Sequence, residues 1–351
     1  MAPNTTVRKK GRAKSTAPTS AEVATIAGVS RSTVSRTFTQ GASVDPVTRA
    51  RIIEVAQDIG YAPNQAARSL ISGRSDTVGL VMASFDNPFY HTVLSGFLDH
   101  FQRRDIRVMC HAAPDIDGVD EGVRAMLRYN VDAMIIAASG MTSSVIDDCR
   151  RSGVSTVLFN RTIPGSRVHS VQTDNLAGGR TMADFLAIGG HGRMAYIHGL
   201  EQSSTNRDRY TGFADRVAEL GLPEPQQEFG EYTYQGGREA VKRLMMSGNA
   251  PDAVFCANDI MAFGVLDGLR TDLGLSVPGD VSVTGFDDVP MASWPSFGLT
   301  TIRQRRNRMI DAAVALLDTA ITDPKGKDEC VSIEGRLILR ESARLPSPRP
   351  S

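Results

Sequence analysis

Hydroxyl and guanidinium groups crowd into one short stretch of the chain, Ser30-Arg31-Ser32-Thr33-Val34-Ser35-Arg36, around a single apolar residue. These are the groups that bond to base edges and phosphate oxygens. On a helix laid in a major groove, Arg31, Ser32 and Ser35 would face outward and reach base edges. Arg36 and the hydroxyls of Thr33 and Ser35 are suited to phosphate or base contacts. A three-helix bundle with an incidental basic surface is the plainer reading, and the flanking elements decide between the two.

Those elements are legible. Thr19-Ser20-Ala21-Glu22 is a capping box that starts a helix, continued by Val23, Ala24, Ile26 and Ala27 until Gly28-Val29-Ser30 breaks it. Ser30 then caps a second helix over 31–38, with Val34 and Phe38 inward. Small Ala24, Gly28 in the turn and Val34 stand where a helix-turn-helix needs close approach, a positive φ and a core anchor. Asp45-Pro46 opens a third helix whose apolar stripe is Ile52, Val55, Ala56 and Ile59, and Gly60 ends it.

Charge agrees with this placement. The 351 residues are neutral overall, with 39 basic and 39 acidic side chains. Residues 1–75 nevertheless hold eleven Lys and Arg against four acids, a net of +7 that leaves −7 for the remainder. A basic head on an acidic body points to a polyanionic partner for the head. Arg8 to Lys14 alone reads as a solvated basic tail.

Composition excludes other classes. At 41% hydrophobic and 22% charged the chain is ordinary globular sequence with room for two or three domains. Cys110, Cys149, Cys256 and Cys330 are far apart, which indicates neither a disulfide framework nor a zinc site. No cofactor or metal is expected. The first residues lack the apolar core of an export signal and no stretch has the length of a membrane span, so the expected location is cytoplasmic.

From Thr77 short Val-, Ile- and Ala-rich runs alternate with amphipathic stretches. They read as buried parallel strands near 77–82, 106–111, 133–137, 156–159, 170–173, 194–198, 253–256 and 282–284. Helical segments are expected between them, for example at 89–103, 178–188, 208–220 and 260–273. The fold class is therefore a small all-α helix-turn-helix head plus an α/β body of two doubly wound parallel-sheet subdomains. In such bodies ligands lie beyond the carboxyl ends of strands.

Two stretches of the head give the sequence a specific likeness: Val23-Ala24-x-x-Ala27-Gly28-Val29-Ser30-x-Ser32-Thr33-Val34-Ser35-Arg36 and Gly60-Tyr61-x-Pro63-Asn64-x-x-Ala67-Arg68-Ser69-Leu70. They resemble the helix-turn-helix and hinge of the lactose-repressor (LacI/GalR) family of bacterial transcription regulators. The resemblance implies that Asn64 to Ser72 folds into a hinge helix on DNA. Leu70, aided by small Ala67, would wedge between base pairs in the minor groove, where an apolar side chain can unstack a step. The DNA-contacting set is thus Ser30, Arg31, Ser32, Thr33, Ser35, Arg36, Asn64, Ala67 and Leu70.

The likeness extends over the body, whose fold resembles periplasmic sugar-binding proteins. Matching stretches include Asn87-Pro88-Phe89-Tyr90, Asn160-Arg161, Arg207-x-Arg209-x-x-Gly212-Phe213, Ala257-Asn258-Asp259 and Gly285-Phe286-Asp287-Asp288. By that resemblance the effector positions are Phe89, Arg161, Arg209, Asn258 and Asp287, a set suited to a polyol. Carboxylate and amide take hydroxyls, arginines donate in a fork, and a phenyl ring covers an apolar sugar face. The two arginines leave room for a sugar acid. Asp174 and Asp259 read as helix N-caps, and Arg209 with Asp287 could equally be an internal ion pair.

The implied organisation is a basic tail at 1–18, the DNA-binding domain at 19–63, hinge and linker at 64–75, the effector-binding and dimerisation domain at 76–345, and a tail at 346–351. The implied function is a sequence-specific regulator, read as a repressor, that binds a near-palindromic operator as a homodimer under control of a sugar or sugar derivative. An exported solute-binding protein would share the body but not the head. An enzyme on this fold is the other alternative, but none of His91, His100, His111, His169, His191 and His198 lies in a catalytic motif. Gly189-Gly190-His191-Gly192 reads as a helix-ending turn, not a phosphate loop. No leucine heptad follows Arg344, so no tetramerising coiled coil is expected.

Overall fold

A computed structural model describes residues 17–39, 42–63, 74–83, 87–113, 116–138, 141–163 and 165–345. The chain divides into two units, Met1–Ser75 and Asp76–Ser351. In the first, α1 (Ser20–Ala27) begins with the capping box: the Glu22 amide donates to Thr19 Oγ1 at 3.4 Å and the Thr19 amide to Glu22 Oε2 at 2.7 Å. Gly28 ends it at φ 66°, a conformation that a side chain would strain.

Helix α2 (Arg31–Thr37) stops one residue earlier than expected. Phe38 packs against the core of the head as expected, and Thr37 is buried beside it, its hydroxyl donating to the Thr33 carbonyl at 3.0 Å. Phe38 is half-buried with its ring 5.8 Å from that of Tyr61. Helix α3 (Pro46–Asp58) starts from Asp45, whose carboxylate accepts from the Thr48 amide at 2.9 Å. Val23, Ala24, Ala27, Val34, Ile52 and Ala56 form the core of this unit.

The second unit holds two six-stranded sheets. In chain order its elements are β1 (Thr77–Ala83), α4 (Pro88–Gln102), β2 (Arg107–Ala113), α5 (Ile116–Arg128), β3 (Ala133–Ala137), α6 (Ser143–Arg151), β4 (Ser155–Phe159), β5 (His169–Thr173) and α7 (Asn175–Ile188). There follow β6 (Met194–His198), α8 (Ser204–Glu219), β7 (Gln226–Phe229), α9 (Tyr234–Met245), β8 (Ala253–Cys256), α10 (Asp259–Asp267), β9 (Ser282–Asp287), β10 (Thr300–Arg303), α11 (Arg306–Thr322), β11 (Cys330–Ile333) and β12 (Arg336–Ile338). The sheet orders are β11-β5-β4-β3-β1-β2 and β12-β10-β9-β8-β6-β7. All neighbours pair parallel except β10 with β12.

Central strands such as β1 and β3 are buried almost throughout, which is why they read as apolar runs. The four strands that the sequence pattern did not mark, β7, β10, β11 and β12, are short, and β7 and β11 alternate between half-buried and exposed positions. The chain passes between the sheets three times: after β5, after β10 and between β11 and β12. Asp174 N–H donates to the Ile333 carbonyl at 2.9 Å, joining the first crossing to the third.

Candidate effector cavity and DNA-reading helix

The carboxyl ends of β1, β4, β6, β7, β8 and β9 converge on one cavity of about 230 Å³. Phe89, Arg161, Arg209, Asn258 and Asp287, spread along the sequence, all line it. In each sheet the order reverses about the first strand, β1 or β6, where doubly wound folds open a crevice.

Phe89 is the second residue of α4, whose start is fixed by Pro88 and by the Asn87 side chain accepting from the Phe89 amide at 2.9 Å. Its ring is buried and lies edge-on to Tyr90 at 5.5 Å. Arg161 follows β4; its Nη1 donates to the Ala138 carbonyl at 2.6 Å, and burial pulls its pKa below the usual arginine value. Arg209 projects from α8, which crosses α7 so closely that a Cβ on Gly179 would lie 2.2 Å from the Arg209 carbonyl. The arginine donates through Nε to Asn175 Oδ1 at 2.9 Å, and its guanidinium carbon lies 3.6 Å from the Phe286 ring centre.

Asp287 ends β9 at φ 131°, a backbone conformation that L side chains seldom adopt. Arg209 Nη2 is 3.8 Å from its Oδ1, so the ion-pair reading and the cavity reading describe the same residues. Burial raises the Asp287 carboxyl above the ordinary aspartate value, while Arg209, Gln304 and Asn87 oppose that shift. Asp174 caps α7 as expected, accepting from the Ala177 amide at 2.9 Å. Asp259 does not cap α10. That cap is Asn258, whose Oδ1 accepts from the Met261 amide at 3.0 Å. Asp259 instead lies buried one residue further, accepting from Thr301 Oγ1 at 2.6 Å and from the Val289 amide at 2.9 Å. Burial, and then the neighbouring Asp287 charge, raise its pKa.

Three buried polar atoms on the cavity residues, Asn160 Oδ1, Arg161 Nε and Asn258 Nδ2, have no hydrogen-bond partner among the described residues. An unsatisfied buried group costs about 1–3 kcal/mol. A hydroxyl, donor and acceptor at once, can satisfy either kind. Tyr232 also lines the cavity, its hydroxyl 3.1 Å from Ser203 Oγ and 3.2 Å from Thr205 Oγ1. It was missed because it follows β7, a strand without an apolar run.

On the head, Arg31, Ser32, Ser35 and Arg36 are exposed along α2, and Thr33 is half-buried. The Ser30 hydroxyl is the N-cap, accepting from the Thr33 amide at 3.1 Å and lying 2.7 Å from Ser32 Oγ and 2.9 Å from Thr33 Oγ1. Arg49 is structural: its Nη atoms donate to the Thr37 carbonyl at 2.6 Å and the Ala42 carbonyl at 2.8 Å. Asn64, Ala67 and Leu70 lie outside the described residues. Among the described residues no cluster of His, Cys, Asp or Glu could hold a metal ion, and no helix is long and apolar enough to cross a membrane.

A three-helix head of helix-turn-helix form and a two-sheet body with a cavity between the sheets define the class of ligand-responsive regulators. The profile of bacterial regulatory proteins of the lacI family matches residues 19–64, and that of periplasmic binding protein-like domains matches residues 183–343. The chain belongs to the lacI family of bacterial regulatory proteins. It is similar to the HTH-type transcriptional regulator CelR of Thermobifida fusca, at 31% identity over 336 residues, 93% of this chain and 98% of that one. It is similar to the ribose operon repressor of Escherichia coli (strain K12), at 29% identity over 326 residues, 92% of this chain and 98% of that one. A solved transcriptional regulator CelR–cellobiose complex matches with a TM-score of 0.71 at 28% identity, over 93% of this chain and all of that chain.

Proposed function

We propose that this chain is a cytoplasmic repressor that binds a near-palindromic operator as a homodimer and releases or grips it in response to a small polyol effector held between the two sheets of the body. The observation that carries the reading is the convergence of Phe89, Arg161, Arg209, Asn258 and Asp287 on one cavity with three unsatisfied buried polar atoms. A pocket of a few hundred Å³ with a few convergent polar groups is the usual form of a small-molecule site. The sugar bound in the CelR–cellobiose complex supports a carbohydrate as the effector class.

On the DNA side the reading assigns base contacts to Arg31 and Ser32, further contacts to Ser30, Thr33, Ser35 and Arg36, and the hinge role to 64–75 with Leu70 as the wedge. Two heads on two half-sites require two copies of the chain. The test is linkage: an effector that changes operator affinity by some factor must have its own affinity changed by the same factor. Selection of an operator from random DNA, followed by anisotropy titration of a monosaccharide panel against the complex, measures both sides. Operator affinity indifferent to every sugar that binds the body would refute the coupling.

A further inference from the structure

Residues 303–308 read Arg-Gln-Arg-Arg-Asn-Arg. Gln304 is buried, and the arginines line a second cavity, of about 480 Å³, that shares Phe89 and Asp287 with the first. Arg340 lines it too, and the only acids there are Asp287 and Asp288, so the wall carries five guanidinium groups against two carboxylates. Two of the five share one carboxylate. Arg303 and Arg340 both bond to Asp288, and Arg340 also donates to the Leu299 carbonyl at 2.7 Å.

The side chains of Arg305, Arg306 and Arg308 have no ion pair or hydrogen-bond acceptor among the described residues, and Asp287 is already engaged by Arg209 and Gln304. Three uncompensated positive charges within four residues repel one another. They stand at the start of α11, which has no side-chain N-cap and whose N-terminal end of the helix dipole adds partial positive charge. Guanidinium forks match the oxygens of phosphate in geometry as well as charge, and a phosphate monoester brings a charge of roughly −1.5 to −2.

We propose that the effector is a phosphorylated monosaccharide, its polyol in the inner cavity and its phosphate in the adjoining recess on Arg305, Arg306 and Arg308. This rests on the effector reading of the inner cavity. Of that cavity's own arginines, Arg209 is paired with Asp287, and Arg161, bonded to the Ala138 carbonyl with no carboxylate partner, offers one cation against the three in the recess. The inner cavity is of monosaccharide scale and the phosphate lies outside it.

The experiment is calorimetric titration of the full chain without DNA, using matched probes: ribose and ribose 5-phosphate, glucose, glucose 6-phosphate and gluconate, galactose and galactose 6-phosphate. At least one ester is expected to bind about tenfold or more tightly than its parent sugar, as charge-assisted hydrogen bonds allow. Arg305→Gln/Arg306→Gln/Arg308→Gln should bring that ratio towards one. Raising salt should weaken the ester more than the sugar, a readout that needs no variant. Equal binding of sugar and ester, or a preference that survives the triple substitution, overturns the phosphate site and leaves the effector cavity standing. Gluconate binding more tightly than glucose 6-phosphate overturns the phosphate assignment in favour of a carboxylate. No binding by any probe overturns the proposal together with the effector reading.

Discussion

The Gln304 side-chain amide donates to Asp287 Oδ1 at 2.6 Å. Its carbonyl end accepts from Thr173 Oγ1, also at 2.6 Å. Asp287 lines the candidate effector cavity, Thr173 ends the strand before the first crossing between the sheets, and Gln304 lies in the second crossing. A group that bonds to Asp287 is therefore one side chain away from two of the segments that join the lobes.

Gln304→Ala removes a bond from Asp287 and leaves the buried Thr173 hydroxyl without that acceptor. The expected cost is about 1–3 kcal/mol of unfolding free energy, read from urea denaturation. Gln304→Glu should cost more, because it sets a second carboxylate against Asp287. Unfolding midpoints equal to the parent's would show that the bridge contributes nothing.

The raised Asp287 carboxyl gives a pH dependence with two signs. In the folded chain it holds its proton to a higher pH than in the unfolded chain, where aspartate titrates near about 4. As pH rises from that value through the raised folded one, the folded state loses a proton that the unfolded state has already lost, so this group's contribution to stability falls. Effector affinity should run the other way, strengthening over the same mildly acidic range as the carboxylate forms and accepts hydroxyls. Calorimetry across that range checks it, with Asp287→Asn as the comparison. A slope unchanged in Asp287→Asn would assign the effect to another group.

How far the site was legible differs from residue to residue for physical reasons. Asn258 and Asp287 directly follow or end strands whose apolar runs mark them, so their motifs could be placed at strand ends. Tyr232 could not be placed, because β7 alternates half-buried and exposed side chains and leaves no run to anchor the loop after it. Gln304 is one of two amides, with Asn307, among arginines, and only the crossing of the chain between sheets reveals what it faces. The burial of Thr37 beside Phe38 is another such case: a threonine buries when its hydroxyl returns to the helix backbone.

Tyr232 is held in the cavity by a neighbour with no side chain. A Cβ on Gly199 would lie 2.2 Å from the Tyr232 ring, and Glu231 and Tyr232 both stand at positive φ, 53° and 59°. Gly199→Ala must therefore displace the ring. Loss of an aromatic cover on one sugar face is expected to weaken effector binding roughly tenfold, about 1.4 kcal/mol, with operator binding in the absence of effector unchanged. Tyr232→Ala should give a similar loss, and the two changes together little more than either alone. Additive losses would mean that Gly199 acts by another route.

The head permits a separation of reading from folding. Arg31 and Ser32 are exposed at the start of α2, whereas Arg49 ties α3 to the Thr37 and Ala42 carbonyls. Exchanging Arg31 and Ser32 should change the sequence selected from random DNA, since a good bidentate base contact discriminates by about 1–3 kcal/mol. Arg49→Met should leave the selected sequence as it was and weaken binding to every sequence alike, because it removes two charge-assisted bonds that hold the head together, each worth about 1.5–3 kcal/mol. Its thermal midpoint should fall where that of the Arg31 and Ser32 variant does not. Selection experiments on the parent and both variants, with melting curves for each, make the comparison. An unchanged consensus for the Arg31 and Ser32 variant would place base readout elsewhere on the head, and a shifted consensus for Arg49→Met would show that Arg49 helps to aim the helix as well as to hold it.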